Sequence, residues 1–306
     1  MVLVAASILL AQMGAGAWSG GRPPECPGTA TRIVNVWERA KSPELRRYCD
    51  LVASALSKLA GTATMAQAAL DAAREAESLL PGRAATRVLE GRAFAALGQT
   101  QAAFAAFRSA KEIDERALQD PASLLSWARV LARLGHSEEA ALAYMALLPE
   151  GGSLPSADRA SAAAEAGLVE ISLGASRLDA SAAALRESMR IGPDDTEGLA
   201  VLALALALDR QGSRAQAHAL LSDRARVDAH AVMRAPRVQE IVAVAPREAP
   251  ALLAIGSEAV DPVSAREAWE AYVAANPGGP WVAHARTHLA DLAARADGRP
   301  IRRRTP

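Results

Sequence analysis

Residues 84–115 read AATRVLEGRAFAALGQTQAAFAAFRSAKEIDE. Apolar side chains recur there at three- and four-residue spacing on both sides of Gly98, the pattern of two amphipathic helices joined by a tight turn. The spacing predicts one helix over Arg83–Leu97, a turn at Gly98-Gln99-Thr100 and a second helix over Gln101–Asp114. Alanine carries most of both helices, and no residue has a higher helix propensity.

The same pattern continues downstream. Leu124–Leu134 and Glu138–Leu148 flank Gly135, Ala160–Leu173 and Ala180–Ile191 flank Gly174, and Leu199–Arg210 and Arg214–Ala225 flank Gly212. The turn glycines stand 37, 39 and 38 residues apart, so the period is steady. A fainter unit with Ala69, Ala73 and Ala76 precedes them, and one with Ala268, Tyr272 and Ala275 follows. A fixed period of this length is the mark of a stacked helical array, because one helix pair cannot bury its apolar face alone.

Composition agrees. Of 306 residues 74 are Ala and only 4% are aromatic, which disfavours all-β and doubly wound α/β folds. Lys and Arg total 34 against 34 Asp and Glu, so no bulk field draws the chain to nucleic acid or a membrane surface. The apolar run Leu199–Leu208 is too short to span a bilayer and reads as a buried helix.

These units resemble tetratricopeptide repeats, with the usual period lengthened by a few loop residues. Gly91 and Phe94 take the family's first-helix places, and Ala103, Phe107 and Ala110 the second-helix places. Ala128, Leu131, Ala140 and Tyr144 match in the next unit, Gly167 in the third, and Leu204, Ala205, Leu208, Ala217 and Leu221 in the fourth. The chain departs from the family pattern where Glu115 replaces the helix-closing proline, and the Trp-Leu-Gly triplet is nowhere complete. The resemblance implies an all-α, right-handed solenoid of about five to six helix pairs with a C-terminal capping helix over Pro280–Arg295. The expected organisation is a signal peptide at 1–17, an arm at 18–41, the solenoid at 42–222, an atypical connector at 223–249, a last repeat and cap at 250–297, and a basic tail at 298–306.

Met1–Ala17 carries no charge and ends in Ala15-Gly16-Ala17, which fits an export signal lacking the usual basic start. The competing reading is a buried N-terminal helix. Cys26 and Cys49 are the two cysteines, and an even count in an exported chain points to one disulfide; two free thiols fit a cytoplasmic chain. The expected location is the periplasm or the medium, with the cytoplasm as the alternative.

Enzyme signatures such as G-x-S-x-G, the phosphate-binding loop and H-E-x-x-H are missing from the sequence, so no catalytic residue and no cofactor is assigned. His284 and His288 lie four apart and can share a helix face. No third ligand stands near them in sequence, so the expectation is one partly packed and one exposed histidine and no metal.

The resemblance further implies a concave groove lined by the first helix of each pair, which receives a peptide. The matching stripe bears Arg92, Arg129, Arg133, Leu168, Leu202, Leu206 and Arg210. Planar guanidinium groups suit carboxylates, so an acidic segment or a C-terminal carboxylate is the expected guest, with leucines supplying apolar contacts. The competing reading makes these arginines ordinary solvated charges. The expected function is a non-enzymatic scaffold or assembly factor of the cell envelope, with no nucleic-acid partner; the alternatives are a self-associating structural protein and a non-catalytic subunit of an enzyme complex.

Overall fold

The computed structural model describes residues 23, 25, 26, 43–61, 63–192, 194–223 and 227–297. The expected signal peptide, the basic tail and nearly all of the N-terminal arm lie outside the described residues. Among those described, fifteen α-helices and no strand are present. None of these helices is long and apolar enough to cross a membrane.

The chain divides into two compact units, which meet in sequence between Leu134 and Gly135. The helices read above as one pair around Gly135 therefore belong to different units. The first unit holds α1 (Pro43–Leu59), α2 (Ala66–Leu79), α3 (Ala84–Ala96), α4 (Thr100–Ile113) and α5 (Pro121–Arg133). Each helix packs on the next, and α1 and α5 both also touch α3. Gly98 lets the backbone turn between α3 and α4 at φ 73°, where a side chain would be strained. Asp120 starts α5: its carboxylate accepts from the Ser123 amide at 3.0 Å, with Pro121 in the first turn. Phe104 stacks on Trp127 with ring centroids 5.4 Å apart, and Phe107 meets the same ring edge-on at 5.7 Å.

Cys26 and Cys49 are joined by a disulfide, with Cα atoms 5.5 Å apart. It holds residues 25 and 26 on α1, where the Tyr48 hydroxyl also donates to Glu25 Oε1 at 3.1 Å.

The second unit contains α6 (Ser137–Glu150), α7 (Ser156–Leu173), α8 (Leu178–Ile191), α9 (Asp194–Arg210), α10 (Arg214–Asp223), α11 (Ala229–Arg234), α12 (Pro236–Val242), α13 (Ala249–Ser257), α14 (Pro262–Ala275) and α15 (Val282–Ala296). Its centre is α7 and α9. Every residue from Ala160 to Ile171 is buried, and so is every residue from Leu199 to Arg210. A helix buried on all sides needs small or apolar residues on all sides, which the alanines and leucines of these two runs provide.

On one side α8 packs against both. The Ser181 hydroxyl donates to the Gly167 carbonyl at 2.9 Å and Ser188 to Ala160 at 2.8 Å, so their polar atoms are satisfied inside the contact. On another side lie the short helices of the connector and the helix that follows. Arg237 of α12 reaches Asp158 and Ser161 on α7, Val232 of α11 abuts Gly198, and Gly256 of α13 abuts Leu202. The chain then runs through α14 into α15, and Trp281 at the start of α15 donates its indole N–H to the carbonyl of Ile171 at 2.9 Å.

This arrangement corrects the groove expectation for four residues. Leu168, Leu202 and Leu206 are fully buried, and the Arg210 side chain is wholly covered. α11, α12 and α13 of the same chain pack on α9, and α12 also packs on α7, with Gly256 of α13 set directly against Leu202.

Candidate functional site

The apolar run of α9 ends in Asp209 and Arg210, two charges that the fold takes inside. A buried charge must find a partner, because desolvation is otherwise prohibitive. Each finds a different one.

Arg210 lies 2.7 Å from Glu248, in the short turn before α13, and its guanidinium sits 4.9 Å from the Trp281 ring centroid and 5.4 Å from that of Tyr272. The Tyr272 hydroxyl donates to Glu248 at 3.4 Å, and burial first, then the Glu248 charge, push the phenol up to about 12.

Asp209 meets α15. Its Oδ2 lies 2.6 Å from His284 Nε2 and 2.8 Å from His288 Nε2, and the two ring nitrogens are 3.2 Å apart. Three potential ligand atoms thus converge from two helices. The second nitrogen of His288, Nδ1, donates to Glu258 Oε1 just after α13, and the same oxygen accepts from Trp269 Nε1 at 2.8 Å. The His288 ring stacks on Trp269 with centroids 4.6 Å apart, while Trp281 meets His284 edge-on. Arg214 completes the surroundings, 3.5 Å from Glu258 and 2.6 Å from Asp291.

The charges bias one another. Burial pushes the His288 pKa down, but hydrogen bonds to Asp209 and Glu258 outweigh it and lift the imidazole to about 9. Burial likewise favours the neutral form of Asp209, yet its bonds to both histidines hold it well below the ordinary carboxylate range. Glu258 is lowered in the same way: burial opposes, and the bond to His288 prevails. Chemically this is a place that can hold a cation, whether a proton or a metal ion.

Beside it opens a cleft of about 950 Å³. Asp209 and Glu258 contribute to its wall, but most of it comes from α10, the segment around Asp228 and the loop Ala259–Asp261. Ala217, Leu221, Ala229 and Ile255 supply apolar surface, and the rim residue Val260 is 83% exposed. Its acidic members are engaged within the fold: Asp228 and Asp261 cap α11 and α14, and Asp209 and Glu258 hold His288.

The sequence-derived stripe divides accordingly. Arg92 is half-buried and lies 3.7 Å from Asp120, and burial lowers its pKa against the pull of that carboxylate. Arg129 is half-buried and Arg133 exposed, both on α5. Arg210 belongs to the Glu248 pair. The expectation for the histidines is corrected: neither is exposed, His288 being buried and His284 half-buried, and Asp209 supplies the third ligand atom that their sequence neighbourhood lacks.

Asp209, Glu258 and Trp269 are beyond motif reading, since Asp209 lies 75 residues from His284 and 79 from His288, and Glu258 lies 30 from His288. One signal did exist. Two charged residues directly after ten apolar ones must be satisfied wherever the helix is buried.

No protein-family model matches the chain, and no curated protein matches it.

Proposed function

We propose that the protein is a non-enzymatic helical-repeat binding protein of the cell envelope, related in design to tetratricopeptide scaffolds, and that it receives a segment of another protein in the cleft beside α10 and α13. The observation that carries this reading is the cleft itself, with Val260 at 83% exposure on its rim and Val263 at 69% just beyond. Its volume alone lies in the range of small-ligand pockets. Val263, exposed just outside it, extends the apolar surface further, which favours a protein segment that covers both. Because the acidic wall residues and Arg214 already have partners, the guest's contribution is mainly apolar side chains. The acidic guest inferred from the arginine stripe is left to the exposed Arg133 on α5.

The disulfide supports an oxidising compartment, and with it export. The test is affinity purification of the intact protein from its own cell envelope, compared with Val260→Asp and Val263→Asp. These positions are exposed, so the folding stability of both variants should stay within about 0.5 kcal/mol of wild type. Loss of one specific co-purifying protein from both variants supports the cleft; an unchanged set of partners overturns it.

A second reading has its own observation. Leu142 and Met145, one turn apart on α6, are 61% and 53% exposed, a small apolar face suited to self-association. Light scattering of wild type and Leu142→Glu separates the two readings.

A further inference from the structure

We propose that Asp209, His284 and His288 bind one divalent transition-metal ion of the zinc class, clamping α15 to α9. The site goes beyond the partner-binding reading and does not depend on it.

The first argument is hydrogen-bond accounting. His284 Nε2 and His288 Nε2 are 3.2 Å from each other, and both face the same oxygen, Asp209 Oδ2. If both nitrogens carry protons, two N–H dipoles crowd together at one acceptor. If one nitrogen is bare, its lone pair faces a carboxylate oxygen. A divalent cation among the three atoms removes both conflicts, since each donor then directs a lone pair at one positive centre.

The second argument is orientation. A metal-ligating imidazole commonly gives its other ring N–H to a carboxylate, which fixes the tautomer and strengthens the ligand. His288 does so through Nδ1 to Glu258, itself held by the Trp269 indole, and the stacked Trp269 ring locks the imidazole plane.

The donor set then selects the ion. Two imidazoles and one carboxylate suit zinc and its neighbours rather than calcium or magnesium, which favour all-oxygen sites. Charge agrees: Asp209, Glu258 and Asp291 outnumber Arg214 around the site. Tetrahedral zinc at about 2.0–2.1 Å from each donor sets the donors about 3.3 Å apart, so the two histidine nitrogens already stand at nearly that spacing while Asp209 must draw back by about 0.5–0.7 Å. His284 is partly exposed, which gives the ion a path from solvent.

The experiment uses the untagged full chain, stripped with chelator and dialysed. Zinc chloride titrated by calorimetry should bind at one ion per chain, with a rise in melting temperature. His284→Ala is the decisive variant, because this half-exposed side chain can be truncated with the fold retained, as circular dichroism in chelator would verify. It should lose the zinc-dependent melting shift and bind at least tenfold more weakly. Glu258→Gln, which removes only the orienting charge, should weaken binding about 10–100-fold. Absence of stoichiometric zinc in wild type overturns the proposal. So does equally tight binding by His284→Ala and Asp209→Asn, which would assign the ion to other histidines such as His218 and His230 in the cleft.

Discussion

Gly91 on α3 lies flat against the ring of Phe107 on α4: a β-carbon added to the glycine would stand 2.7 Å from the ring. Gly167 and Leu185 repeat the relationship between α7 and α8, where the added carbon would come within 2.5 Å. Close helix crossings of this kind are what the small residues of the repeat pattern provide. Gly91→Ala gains about 1 kcal/mol of helix propensity but overpacks a fully buried ring at a cost of about 1–3 kcal/mol. The expected net effect is a loss on the order of 1 kcal/mol, read from denaturant melts. A more stable variant would mean that the crossing is not close.

The covalent tie at the N-terminal end can be tested separately. Cys26 and Cys49 are 23 residues apart. Opening a loop of this size should cost about 3 kcal/mol, so Cys49→Ser should melt well below wild type. Thiol titration of denatured protein should find none before reduction and two after.

Glu170 on α7 is buried, and neither carboxylate oxygen has a hydrogen-bond partner. Its nearest cation is Arg177, at 3.8 Å. Burial raises its pKa, Arg177 opposes, and Glu138 adds to the rise. The native state therefore holds this proton more tightly than the unfolded chain does. Ionised Glu170 costs stability at neutral pH, and the cost fades as pH falls through the raised native value toward the ordinary one near 4.5. Glu170→Gln should stabilise the protein by about 1 kcal/mol at pH 7. The advantage should shrink toward pH 4, and a pH-independent difference would contradict the assignment.

Arg210 and Glu248 form a buried pair whose members depend on each other. Arg210→Met leaves a carboxylate without its cation and should cost about 3–5 kcal/mol. Replacing both with methionine should recover most of that loss, because the desolvation penalty goes with the charges. A double variant no better than the single one would show that the methionines pack poorly beside Trp281 and Tyr272.

Local structure was legible where it follows from neighbours in sequence. The helix expected over Arg83–Leu97 runs from Ala84 to Ala96, and the next, expected over Gln101–Asp114, runs from Thr100 to Ile113. Period and turn glycine sufficed there. At α5 the start lies earlier than the apolar pattern suggests, because Asp120 and Pro121 cap the helix ahead of its first leucine. The start of α7 also lies earlier than the apolar pattern suggests: Ser156–Arg159 is largely polar and extends the helix without contributing to the core pattern. What periodicity cannot convey is which face of a helix its distant neighbours will cover. Leu202 and Leu206 have the spacing of a groove-lining stripe, yet the same run is apolar all round, and that second property prevailed. Asp209 was illegible as a ligand, because its partners arrive only when α15 packs back toward α9.

That return of the chain has a consequence for how the second unit comes apart. In a linear array each repeat senses only its neighbours, so the ends fray while the middle stays folded. Here Trp281 bonds to Ile171 across 110 residues, His284 to Asp209 across 75, and Arg214 to Asp291 across 77. The end of the unit is thus stitched back to α7, α9 and α10, so loosening α15 uncovers the buried ends of the two central helices. The unit should melt in a single sharp transition, with amide exchange in α15 slowing to the rate of α9 instead of marking a soft terminus.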